Sequence, residues 1–225
     1  MVNGRNNERA PAGRIKTSSA APGAGRRERR AAETRVKLFR SALALIAERG
    51  LANVTVEDIT EAADVGKGTF FNYFPTKEHV LGVMAEIQLG KLEEAAVRVA
   101  AGNEPLHTVL HRLVQRLAEE PGRSPRLARA LLSSFLGNES VRDILKRRMA
   151  EGRKAIAVVV RMGQERGEIN PSLKKEKVAM QLLQMMLGTV LLWSLHEKPA
   201  LSQWIENSFD HAWRAIAAPG KLQKA

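Results

Sequence analysis

The chain has 225 residues, 44% of them hydrophobic, which is enough for one large or two small domains with a buried core. Its 36 Lys and Arg against 24 Asp and Glu give a net charge of +12, which favours a polyanionic partner such as nucleic acid, with a membrane surface also compatible. The absence of cysteine excludes a disulfide framework, a thiolate zinc site and a cysteine nucleophile, and suits a reducing cytoplasm.

Residues 1–30 hold eight basic side chains, Arg5, Arg9, Arg14, Lys16, Arg26, Arg27, Arg29 and Arg30, against Glu8 and Glu28, and so carry half of the net charge. Rich in Ala, Gly, Pro and Ser and without apolar period, this tail is expected to be disordered. It lacks the apolar run of a secretory signal; its Arg-rich character also fits an organellar presequence, but a cytoplasmic, nucleoid-associated protein is the expectation. From Glu33 the apolar residues Val36, Phe39, Leu43 and Ile46 recur at helical spacing and stop at Gly50. Thr55 opens a second helix as N-cap, with Asp58 in capping-box position and Val56, Ile59 and Ala63 on the inner face.

Asp64-Val65-Gly66 breaks the chain before a third helix, Lys67 to Phe74, which Pro75 closes. Thr76 is placed to cap a fourth, long helix that ends at Gly102 and Asn103. Beyond Pro105 the pattern predicts helices over 105–119, 125–136, 139–167, 173–197 and 201–217, with no strand. The expected fold is therefore all-α with about nine helices: a tail at 1–30, a three-helix helix-turn-helix domain at 31–81, a helical bundle at 82–218, to which the resemblance given below assigns ligand binding and dimerisation, and a short tail at 219–225. The longest apolar stretch, Leu182 to Leu195, is read as a buried helix rather than a membrane span, and no membrane partner is expected.

The third helix is too short to stand alone, so Phe70 and Phe74 are expected to anchor it on the first two. Lys67, Gly68, Thr69, Phe71, Asn72 and Tyr73 are then left on its free face, where an amide, hydroxyls and a flat ring suit the major groove of DNA. Four aromatic residues at 70, 71, 73 and 74 cannot all face inward on a helix, which argues against a plain core cluster.

With these residues in view, the segment Thr55-Val56-Glu57-Asp58-Ile59, then Ala62-Ala63, then Lys67 through Glu78 resembles the DNA-binding domain of TetR-family regulators, over about residues 34–81. The resemblance implies that Thr55 and Lys77 touch phosphates on either side of the groove and that Lys67, Gly68, Thr69, Phe71, Asn72 and Tyr73 form the recognition surface. Asp64 and Gly66 depart from the usual glycine and serine, and Phe71 and Asn72 from frequent tyrosines, which removes two hydroxyls from the phosphate contacts. The resemblance further implies a homodimer through the last two helices, a palindromic double-stranded operator, and a small, mostly apolar inducer that releases a repressor.

Candidate ligand contacts are Phe135, Met149, Met185 and Trp193, with Met162, Met180, Met186, His107 and His111 as further adaptable or orienting groups. No cofactor, metal site or catalytic residue is expected. Gly66-Lys67-Gly68 lacks the glycine and hydroxyl of a phosphate loop, and His107 and His111 lack the glutamate and third ligand of a zinc site. The competing readings are a DNA-binding protein of chromosome organisation or division control and, less favoured, a small helical enzyme.

Overall fold

The computed structural model describes residues 24–196 and 198–220; the expectations for residues 1–23 and for 221–225 of the C-terminal tail lie outside them. Nine α-helices occur among the described residues: α1 (Ala24–Arg49), α2 (Val56–Ala62), α3 (Lys67–Phe71), α4 (Val80–Ala101), α5 (Leu106–Ala118), α6 (Pro125–Gly137), α7 (Glu139–Glu165), α8 (Lys175–His196) and α9 (Leu201–Ile216). The predicted helices after Pro105 match α5 to α9 to within a few residues at each end. Strand geometry among the described residues is limited to one isolated bridge between Ile169 and Ala217.

The first helix starts earlier than its apolar pattern. Residues 24–30, expected to be disordered, are already helical. Ala, Arg and Glu are strong helix formers, and Arg29 pairs with Glu33 one turn on at 3.5 Å. From residue 35 onward the chain forms one compact unit, and residues 24–34 belong to a separate one. Within the larger unit α1 buries Leu38, Phe39, Ala42, Leu43 and Ile46, whereas Val36, expected inside, is exposed.

Two apolar cores fill this unit. The first takes the α1 residues together with Leu51, Val54, Ile59, Ala63, Phe70 and Phe74, and is completed by Val80, Leu81, Val83 and Met84 of α4, Leu127 and Leu131 of α6, and Val141 of α7. The head thus does not have a core of its own that ends at residue 81: α6 and α7 supply part of it. The second core lies among α4 to α9, around Leu106, Leu110, Val160, Ile205, Phe209 and Trp213.

The turn from α7 into α8 is fixed by polar contacts together with the burial of Ile169 in the second core. Gln164 donates to the carbonyls of Asn170 and Leu173, while Arg166 donates to those of Val99 and Glu104 and pairs with Glu168 at 2.7 Å. The Glu168 carboxylate accepts from the Leu106 amide at 2.7 Å and so caps the start of α5. α8 is long and apolar enough to cross a membrane, but it packs on α5, α6, α7 and α9. It buries Val178, Leu182, Val190 and Trp193 and leaves Leu187, Leu191, Leu192 and Leu195 exposed, so its apolar stretch is buried on one face and open on another.

Candidate nucleic-acid interface and ligand cavity

The α2 N-terminus is built by a reciprocal cap. The Thr55 hydroxyl accepts from the Asp58 amide at 3.1 Å, and the Asp58 carboxylate accepts from the Thr55 amide at 2.8 Å and from its hydroxyl at 2.7 Å. These bonds hold the Asp58 carboxyl below its ordinary pKa against the opposing effect of burial, with Arg49 and Lys77 assisting to a lesser extent. Asp64 then takes the left-handed conformation at φ 49°, which a short polar side chain tolerates, and the chain turns into α3.

Regular α3 geometry ends at Phe71, three residues before the expected Phe74, although the Phe74 amide still donates to the Phe70 carbonyl at 2.9 Å. Phe70 and Phe74 are buried with ring centroids 5.4 Å apart, as anchors should be, and the Arg35 guanidinium lies 5.7 Å from the Phe74 centroid. On the opposite side Lys67, Gly68, Phe71 and Asn72 are exposed, and Thr69 and Tyr73 are half-buried. Lys67 is ion-paired with Glu57 of α2, and its ammonium lowers the pKa of that carboxyl.

One expected polar role, the Thr76 cap, comes out differently. The Thr76 side chain caps no backbone amide; its hydroxyl donates to the Glu78 carboxylate at 2.6 Å, and a 3-10 turn at Lys77–His79 precedes α4. The Lys77 ammonium donates to the carbonyls of Leu51 at 2.9 Å and Val54 at 2.8 Å, with Ala52 at 3.4 Å. Lys77 therefore ties the loop before α2 to the start of α4, which sequence spacing did not reveal.

A cavity of about 230 Å³ lies among α4, α5, α6, α7 and α8. Phe135 and Met149 line it as expected, but Met185 and Trp193 do not. Met186 is the α8 methionine that reaches it, because one residue along a helix turns the side chain by about 100°. Trp193 is instead a core residue, its indole N–H donating to the Pro199 carbonyl at 3.1 Å. Met162 and Met185 pack on the second core, and His107 and His111 stack on each other 6.1 Å apart and against Phe209, outside the lining.

Four lining side chains, Leu81, Met84, Leu131 and Val141, are also members of the head core. A second link is ionic: Glu86 of α4 pairs with Arg35 of α1 at 2.7 Å and with Arg148 of the cavity wall at 3.5 Å. The ionic link was not visible in the sequence, since its two pairs join residues more than fifty positions apart.

Residues 38–84 match the family described as bacterial regulatory proteins, tetR family, and residues 103–211 match the tetracyclin repressor-like C-terminal domain. The chain belongs to the TetR family. The HTH-type transcriptional regulator TcmR of Streptomyces glaucescens is 39% identical over 94 residues, 41% of each chain. An uncharacterized HTH-type transcriptional regulator of Mycobacterium bovis is 29% identical over 136 residues. The TetR-family chain thus spans 41% and 64% of the lengths of these two curated relatives. Among solved structures it is similar to Thermus thermophilus FadR, described as a transcriptional repressor in complex with lauroyl-CoA, with 26% identity, a TM-score of 0.58, and coverage of 79% of this chain and 92% of that one. Membership in a family of regulators sets aside the reading of a small helical enzyme.

Proposed function

We propose that this TetR-family chain is a dimeric repressor that reads a palindromic operator with α3 and is released by a mostly apolar small molecule bound in the cavity. The observation that carries it is the outward side of α3 and the turn that follows it, the exposed Phe71 ring and Asn72 amide with the half-buried Thr69 hydroxyl and Tyr73 ring, pinned by buried Phe70 and Phe74 beside the capped N-terminus of α2. In the major groove Asn72 pairs bidentately with an adenine, and Phe71 and Thr69 meet thymine methyls. Tyr73 and Lys67 reach the flanking backbone, Lys67 by exchanging Glu57 for a phosphate. Gly68 lets the backbone approach closely, and the α2 N-terminus at Thr55 faces a phosphate.

Lys77, its donors engaged on carbonyls, serves by fixing that N-terminus and by its charge. Exposed Arg26, Arg27 and Arg30 add salt-sensitive attraction without sequence preference. The protein works in the cytoplasm, on the nucleoid, as a homodimer through α8 and α9.

Release follows from shared parts. A ligand that moves Leu81, Met84, Leu131 or Val141 moves the head core with them, and packed cores shift between discrete arrangements rather than deforming smoothly. The FadR of Thermus thermophilus, which is in complex with lauroyl-CoA, supports an apolar occupant for this chain.

The test is recovery of fragments of the source genome at about 0.15 M salt, where specific binding stands out from the phosphate background. A few palindromic sites beside promoters are expected. Hundreds of dispersed sites would favour the chromosome-organising reading, and no enrichment would refute both.

A further inference from the structure

Among the described residues the cavity wall is apolar except for three side chains, Gln88 of α4 and Arg148 and Arg153 of α7, and none of the described lining residues is a carboxylate. Arg148 is shared between Glu86 at 3.5 Å and Glu151 at 3.0 Å. Arg153 has neither an ion pair nor a hydrogen bond among the described residues, and it is half-buried. Gln88 is fixed by its Nε2, which donates to the Leu117 carbonyl at 2.9 Å, and its Oε1 is left buried with no partner.

We propose that the effector is an apolar acid whose hydrocarbon or aromatic body fills the cavity and whose single anionic group is bound by Arg153, Arg148 being already held by Glu86 and Glu151. This rests on the reading of the cavity as the effector site. A guanidinium presents a rigid fork of donors that matches a carboxylate in two parallel bonds, and such a bond is stronger against apolar walls than in water. A cationic ligand would face the unpaired Arg153 guanidinium, with no acid among the described lining residues to receive it. A neutral one would leave Arg153 unmatched. The orphan Gln88 oxygen repels an anionic oxygen, so it disfavours the acid on the α4 side and directs it to α7. The competing account, in which Arg153 only lays its aliphatic stem along the cavity and keeps its charge in water, predicts no preference for an acid.

The probes are decanoate, decanol and decylamine, which share one apolar body and differ in head charge, titrated calorimetrically into the full chain at about pH 7, where a carboxylic acid is ionised. Decanoate is expected to bind at least about tenfold more tightly than decanol, the increment of a charge-assisted bond at a partly exposed site, and decylamine most weakly. Arg153→Gln should remove the advantage of the acid while leaving the affinity for decanol, and Arg153→Lys should keep part of it. A thermal melt of each variant shows that it is folded; Arg153 has no partner to lose among the described residues. Equal affinity for decanoate and decanol, or an advantage that survives Arg153→Gln, overturns the acid and leaves the cavity reading in place. If none of the three binds, the cavity reading falls and the inference falls with it.

Discussion

Two glycines separate binding from packing at the residue scale. A Cβ on Gly68 would meet nothing within 4 Å, so Gly68→Ala leaves the fold intact and adds about 0.5–1 kcal/mol of helix stability. If DNA runs over α3, the same methyl group collides with it, and operator affinity should fall at least about tenfold while the melting temperature holds or rises. Unchanged affinity would take Gly68 out of the interface. At Gly163 the reverse applies: a Cβ would lie 2.2 Å from Leu106 Cδ2 and 3.0 Å from Ile169 Cδ1, both fully buried residues with no room to yield. Gly163→Ala should cost about 1–3 kcal/mol in chemical denaturation; a cost near zero would mean that this core is looser than described.

His107 carries a pH signature. Burial, and next the neighbouring His111, lower its pKa, with Asp210 acting against them. The folded state therefore holds it neutral more strongly than the unfolded chain does. Its contribution is fully present above the unfolded value near 6.5 and is lost as pH falls from there through the lower folded value. His107→Gln should flatten the fall in melting temperature across that window, and an equally steep fall in the variant would assign the acid sensitivity elsewhere. That these histidines sit in an aromatic cluster was not legible from their four-residue spacing, because the partners Phe209 and Trp213 are about a hundred positions away.

Among the elements, α4 joins the head to the cavity. Its Glu86 holds Arg35 of α1 and Arg148 of α7, all three about one-third exposed, so each pair contributes no more than about 1 kcal/mol to stability. Its larger effect is expected on coupling. Glu86→Gln should leave operator affinity near wild type when it is measured without ligand, while reducing the ligand's ability to weaken DNA binding several-fold. A variant with full coupling would place transmission in the shared apolar residues alone.

Helices were largely legible because an amphipathic period and its caps are local properties: the Thr55 and Asp58 cap, the Asp64 turn and the ends of α5 to α9 all followed from short-range chemistry. Local chemistry also misled. Val36 matched the period of α1 yet is exposed, and Met185 is one step off the cavity face that Met186 occupies. The contribution of α6 and α7 to the head core depends on tertiary packing, which no window of sequence contains.

For the whole molecule, Leu187, Leu191 and Leu195 stand one helical turn apart on α8 and are 37%, 45% and 62% exposed. A stripe of this kind is what a twofold helical interface would cover. Leu191→Glu is expected to convert the dimer into a folded monomer in sedimentation and to lower operator affinity sharply, since one head makes half of the contacts. A variant that remains dimeric would move the interface away from this stripe.

Base reading by α3 and by Asn72 at its end is decided by repeated selection of the full chain on random duplexes, in parallel with Asn72→Ala. The wild-type chain should select a palindrome whose half-sites are separated by about one helical turn or a multiple of it, and the variant should lose preference at one position per half-site, at a cost of about 1–3 kcal/mol. Binding to every duplex equally, or an identical consensus for Asn72→Ala, would contradict it.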